Sequence, residues 1–157
     1  MTLPRSWAHE GEYFIPLRLQ LLTRMIEREA NRELHAAFQI AVAEWRILAL
    51  TCTSGPLTGA DVAASFEADP GQVSRAVAAL VRKGLVARER NVGAGNNKRI
   101  TPTAKGQAAF DVLHEKRQVY FEAIFRDLSR DQLATFDRTL KVIALRVDEQ
   151  RGASVEP

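Results

Sequence analysis

The chain has 157 residues, 46% of them hydrophobic and 26% charged, with a formal net charge of +3. That is the profile of one soluble globular domain with a core of its own, and it leaves little room for two. No apolar run approaches the roughly 20 residues needed to cross a bilayer, and the opening MTLPRSWAHEGEYF has no apolar signal core. A cytoplasmic location with no membrane partner is therefore expected. The single cysteine, Cys52, excludes an internal disulfide. With no Cys or His close to it in sequence, no metal site and no cofactor is expected.

The charge is unevenly spread. Between Pro70 and Gly106 stand eight basic residues (Arg75, Arg82, Lys83, Arg88, Arg90, Lys98, Arg99 and Lys105) against one acidic residue, Glu89, giving +7 locally and −4 for the rest. A basic centre between acidic flanks is the footprint expected of a nucleic-acid binder, because affinity for DNA comes largely from neutralising phosphates. A solvated charged face would give the same count.

In chain order, Pro16 can occupy the first turn of a helix, and Leu17, Leu21, Met25 and Ile26 recur at helical spacing through to about Phe38. A shorter apolar helix around Trp45, Ile47, Leu48, Ala49 and Leu50 is stopped by Ser54-Gly55-Pro56. Thr58 is placed to cap a third helix, Gly59 to about Phe66, with Val62, Ala63 and Phe66 inward. Asp69 and Pro70 then open a fourth helix, Pro70 to Lys83. Its apolar stripe is Val73, Ala76, Val77, Leu80 and Val81, and Gly84 stops it. Two short helices about a brief Glu67-Ala68 turn form a helix-turn-helix, whose second helix is the one that enters the DNA major groove.

After Gly84, residues 85–90 and 98–101 are strand-compatible runs joined by a Gly- and Asn-rich turn, so a β-hairpin is expected. A helix-turn-helix followed by a basic hairpin is a winged helix. Beyond it, Phe110, Leu113, Tyr120, Phe121, Ile124, Phe125 and Leu128 build one apolar helix. Leu133, Phe136, Leu140, Ile143 and Val147 step as an a/d seam after a break at Ser129, with Gln132 at capping-box distance. Helices so placed after a complete DNA-binding unit need another surface to cover them, and a homodimer is expected. The fold class is thus mostly α with a small β-hairpin wing (α+β). Residues 1–38 and 104–150 make a helical dimerisation region, 39–103 the winged helix-turn-helix lobe, and 151–157 a flexible tail.

The segments EWRILAL, LTGADVAASF, PGQVSRAVAALVRKGLVARER and TPTAKG, in that order and spacing, resemble the MarR family of winged helix-turn-helix transcriptional regulators. The resemblance covers nearly the whole chain. It implies a dimer formed by the first and last two helices, and a repressor released by a small ligand. The family's wing usually carries Asp-x-Arg, where this chain has Ala94-Gly95-Asn96. Lys98, Arg99 or Arg90 would then make the wing contacts.

A twofold dimer would set two recognition helices roughly 34–36 Å apart in successive major grooves, so the expected partner is double-stranded DNA with an inverted-repeat operator. Gln72 and Arg75 are the candidates for base edges, since Gln pairs bidentately with adenine and Arg with guanine, and Ser74 is a third. Thr58, Ser65, Arg82, Arg88, Lys98 and Arg99 are candidates for phosphates. For a small-molecule effector, Trp7, His9, Tyr13, Phe14, Arg18 and Arg46 offer rings and guanidinium groups suited to an aromatic carboxylate or its thioester. Two alternatives are a redox-responsive repressor working through Cys52 and a winged-helix interaction module that does not bind DNA. No catalytic constellation is present in the sequence, which has only three histidines, His9, His35 and His114, so no enzyme is expected.

Overall fold

The computed structural model describes residues 3–90 and 98–153. After two short 3-10 turns come helices α1 (Ile15–Phe38) and α2 (Val42–Ser54), strand β1 (Leu57–Thr58), and helices α3 (Gly59–Phe66) and α4 (Pro70–Arg82). Strands β2 (Val86–Arg90) and β3 (Lys98–Pro102) and helices α5 (Ala104–Phe125) and α6 (Arg130–Ala153) follow. Mostly helix with one small antiparallel sheet, this is the expected winged-helix class. The chain divides into two compact units within α5, one up to His114 and one from Glu115.

In the first unit, each helix ends where the local chemistry forces it to. Gln39, at φ 53°, closes α1, its N–H donating to the His35 carbonyl at 3.0 Å. Gly55, at φ 82°, closes α2. Glu67, at φ 47°, turns the chain out of α3, and the Ala68 N–H returns to the Ala63 carbonyl at 3.0 Å, the pattern of a Schellman cap. Gly84 does the same after α4 at φ 68°, with the Leu85 N–H donating to the Leu80 carbonyl at 3.0 Å. The core these turns enclose includes Leu34, Leu48, Val62, Val77, Leu80 and Leu113, all fully buried.

The sheet runs β1-β3-β2. The hairpin register pairs Val86 with Pro102 and Arg90 with Lys98. Strand β1 is an addition to the expected hairpin: Leu57 and Thr58 pair with Ile100 and Arg99 of β3. A two-residue strand has no periodicity to betray it in sequence. Two expected inward residues, Phe66 and Val81, are instead exposed. Each stands in the last turn of its helix, where the apolar stripe runs past the core.

In the second unit, Ser129 caps α6. Its N–H donates to Gln132 Oε1 at 2.8 Å, and the Gln132 N–H donates back to Ser129 Oγ at 3.2 Å. On the α5 residues of this unit, Phe121 stacks on Phe125, and the Arg117 guanidinium lies over the Tyr120 and Phe121 rings at 5.1 and 4.6 Å. Helix α6 continues to Ala153, into the segment expected as a tail. The remainder of that tail lies outside the described residues, as do Ala94-Gly95-Asn96 of the wing. Among the described residues no helix is long and apolar enough to cross a membrane.

Candidate nucleic-acid interface

Asp69 fixes the start of α4. Its Oδ1 accepts the Gln72 N–H at 2.9 Å, satisfying one of the orphan donors of the first turn, while Pro70 has no N–H to satisfy. Val73, Val77 and Leu80 are buried on one side, which leaves Gln72, Ser74, Arg75 and Arg82 exposed on others. The Arg75 guanidinium reaches back along the helix: a β-carbon on Gly71 would lie 3.4 Å from its Nη1 and 3.0 Å from Asp69 Oδ1. Gly71 thus leaves room for a cation over the first turn.

The sheet adds the second half of the surface. Lys98 and Arg99 are exposed on β3, and Glu89 stands opposite Arg99 in the register, accepting the Thr101 hydroxyl at 3.3 Å. Arg88, exposed on β2, directs its Nη2 to the Ser74 carbonyl at 3.5 Å, tying the hairpin to α4. The backbone of Arg90 pairs with Lys98, but its side chain lies outside what the structure describes. Thr58 and Ser65 both turn their hydroxyls onto Asp61: Thr58 Oγ1 donates to its carboxylate at 2.8 Å and Ser65 Oγ to its carbonyl at 2.8 Å. The backbone and hydroxyl bonds from Thr58 hold the Asp61 carboxyl below its ordinary range, helped by the charge of Arg99.

Between α3, α4 and the sheet lies a cavity of about 440 Å³, with Ala63, Val73 and Ile100 as apolar wall and Ser74, Arg88 and Lys98 as polar wall. Its residues come from five separate elements, β1, α3, α4, β2 and β3, and no sequence spacing announces it.

The model of the MarR family matches residues 38–95. That segment is similar to the MarR family. Comparison with curated proteins returned no match. Among solved structures, a MarR protein from Peptoclostridium difficile is 13% identical with a TM-score of 0.81, covering 96% of this chain and 95% of its own. A Staphylococcus aureus MepR–DNA complex is 19% identical with a TM-score of 0.76, covering 88% and 99%. An organohalide-sensing transcriptional regulator in its 2,4-dichlorophenol-bound form is 20% identical with a TM-score of 0.76, covering 93% and 86%. At these identities the likeness is one of fold, and it extends the MarR-type architecture beyond the matched segment. The family is one of transcription regulators and not of enzymes.

The effector candidates are only partly gathered. Arg18 donates to the His9 carbonyl, and the His9 ring stacks on Phe14 at 5.0 Å, so these three stand together. Tyr13 is 89% exposed. Arg46 is held in an ion pair by Glu27 at 2.7 Å. Trp7 Nε1 is buried without a hydrogen-bond partner among the described residues. Trp45 stacks on Phe110 at 5.7 Å and is a packing residue. Burial, with a contribution from Asp111, pushes the Cys52 thiol up to about 11.

Proposed function

We propose that this chain is a dimeric, sequence-specific DNA-binding transcriptional regulator, a repressor released by a small ligand. The observation that carries the reading is the Asp69-capped helix α4, which presents Gln72, Ser74 and Arg75 to solvent beside a hairpin bearing Arg88, Lys98 and Arg99. Gln72 and Arg75 read base edges, with Ser74 as a third reader, while Arg82, Lys98 and Arg99 hold phosphates. The MepR–DNA complex, similar in fold, supports the DNA partner.

Dimerisation rests on the second unit and on α1. Val142 and Leu145 are 59% and 64% exposed, and Phe136, Ile143 and Val147 of the seam are exposed too. Ile15 and Leu17 at the start of α1 are likewise open. Apolar stripes of this kind call for a covering surface, and a second copy supplies one with the same a/d pattern. Residues 1–38 and 104–150 form that region. The effector, an aromatic acid or thioester, is held by the cluster of His9, Phe14 and Arg18 together with Trp7, whose indole N–H lacks a partner among the described residues. The dichlorophenol-bound relative, similar in fold, supports an aromatic ligand class. A thiol raised to about 11 is protonated at neutral pH, which argues against a redox switch at Cys52.

The test is a gel shift with the DNA flanking the protein's own gene at two salt concentrations, alongside Arg75→Ala. Binding that weakens with salt and with the substitution is expected. No binding, or binding indifferent to both, overturns the reading.

A further inference from the structure

The basic pair Arg82-Lys83 at the end of the recognition helix is split by the fold. Arg82 is exposed, whereas Lys83 turns inward: its Nζ donates to the Gln39 carbonyl at 2.6 Å and pairs with the Glu44 carboxylate, whose side chain is only 12% exposed. The same Glu44 oxygen accepts the Ala41 N–H at 3.2 Å, closing the first turn of α2. The carbonyl of Lys83 accepts from Lys105 Nζ at 2.8 Å, in the first turn of α5. One residue therefore joins the left-handed end of α1, the start of α2, the end of α4 and the start of α5.

We propose that Lys83 is a positioning residue that sets the pose of the recognition helix against the end of α1, and that it makes no contact with DNA. The proposal rests on the DNA-binding reading above. An ammonium with one carbonyl and one carboxylate partner in a half-buried site is already satisfied, and drawing it out to a phosphate would leave Glu44 largely buried and unpaired. The link is specific in geometry, because Gln39 offers its carbonyl to Lys83 from the left-handed conformation that ends α1. A change in how α1 ends is thereby passed to the exit of α4, by differential contact and not by distance alone.

The experiment compares wild type, Lys83→Met and Glu44→Gln in the full chain, with thermal unfolding as a folding control. Binding is measured by fluorescence anisotropy over a salt series, using a duplex from the gene's flanking DNA that the wild type protects and a scrambled duplex. Both variants should lose about tenfold in affinity for the first duplex, in the range of ordinary coupling effects. The scrambled duplex should bind unchanged, and the salt slope of Lys83→Met should match wild type. A phosphate contact predicts the reverse: Lys83→Met loses about 0.9 from the slope, and Glu44→Gln, which frees the ammonium, binds more tightly. Either result overturns the proposal.

Hydrogen exchange reads the tether without DNA. The amides of Lys83 and Gly84 should exchange faster in both variants, and unchanged exchange also overturns the proposal. If wild type binds no duplex while exchange behaves as stated, the DNA reading fails and the tether stands.

Discussion

A β-carbon on Gly106 would stand 1.9 Å from the carbonyl oxygen of Leu85, so the first turn of α5 lies directly against the chain as it enters β2. Backbone meets backbone here, and no side chain can swing aside. Gly106→Ala should therefore cost about 3 kcal/mol, at the upper end for overpacking, measured by urea unfolding. A loss within experimental error would mean that α5 approaches the sheet less closely.

Thr103 works on the same joint. Its hydroxyl donates to the Gly84 carbonyl at 2.7 Å and accepts the Gly106 N–H at 3.0 Å, serving both the end of α4 and the start of α5. Thr103→Val keeps the shape and removes both bonds. A loss of about 1–2 kcal/mol is expected from chemical denaturation, and Thr103→Ser should recover most of it.

Asp61 gives the fold a sensitivity to acid. Its folded carboxyl lies below the ordinary range, chiefly through the bonds from Thr58, so its contribution is present above the unfolded pKa and is lost as pH falls through the lower, folded one. The thermal midpoint of Asp61→Asn should lie below that of wild type at neutral pH. The gap should narrow as pH drops below about 4, the unfolded carboxyl range. A gap that stays constant with pH would contradict the assignment.

Arg75 and Arg82 should separate specificity from affinity. Arg75→Ala is expected to cost about 1–3 kcal/mol against the best duplex and to flatten the preference among base substitutions. Arg82→Ala should weaken all duplexes alike and reduce the salt slope by about 0.9. Identical profiles for the two would remove the distinction between base and phosphate contacts.

Cys52 should behave as a packing residue. With the folded thiol raised from 9.0 to about 11, its contribution holds below the lower value and is lost as pH rises through the higher one. The stability difference between wild type and Cys52→Ser should thus shrink across that interval. At neutral pH, alkylation by iodoacetamide should be far slower than in denatured protein, and rapid labelling would reopen the redox alternative.

The helices were legible because their ends carry chemistry. Asp69-Pro70, Thr58, Ser129 with Gln132, Gly55 and Gly84 each mark a boundary through a cap or a left-handed turn, and the structure uses every one. The strand β1 was not legible, since two residues show no alternation. The fate of individual charges was also hidden. Arg82 and Lys83 are adjacent and alike in sequence, yet one faces solvent and the other Glu44, 39 positions away. The cavity beneath Ser74 and Arg88 was invisible for the same reason, because long-range placement decides it.

Thr58 belongs to two elements at once. As a strand residue it pairs with Arg99 of the wing, and as a cap it closes the first turn of α3 through Asp61. The hairpin therefore has no hinge of its own on that side: lifting β3 away would uncap α3, and fraying α3 would loosen the wing. A substitution that relaxes either one should show its effects in both, and the helix-turn-helix and its wing behave as a single mechanical part.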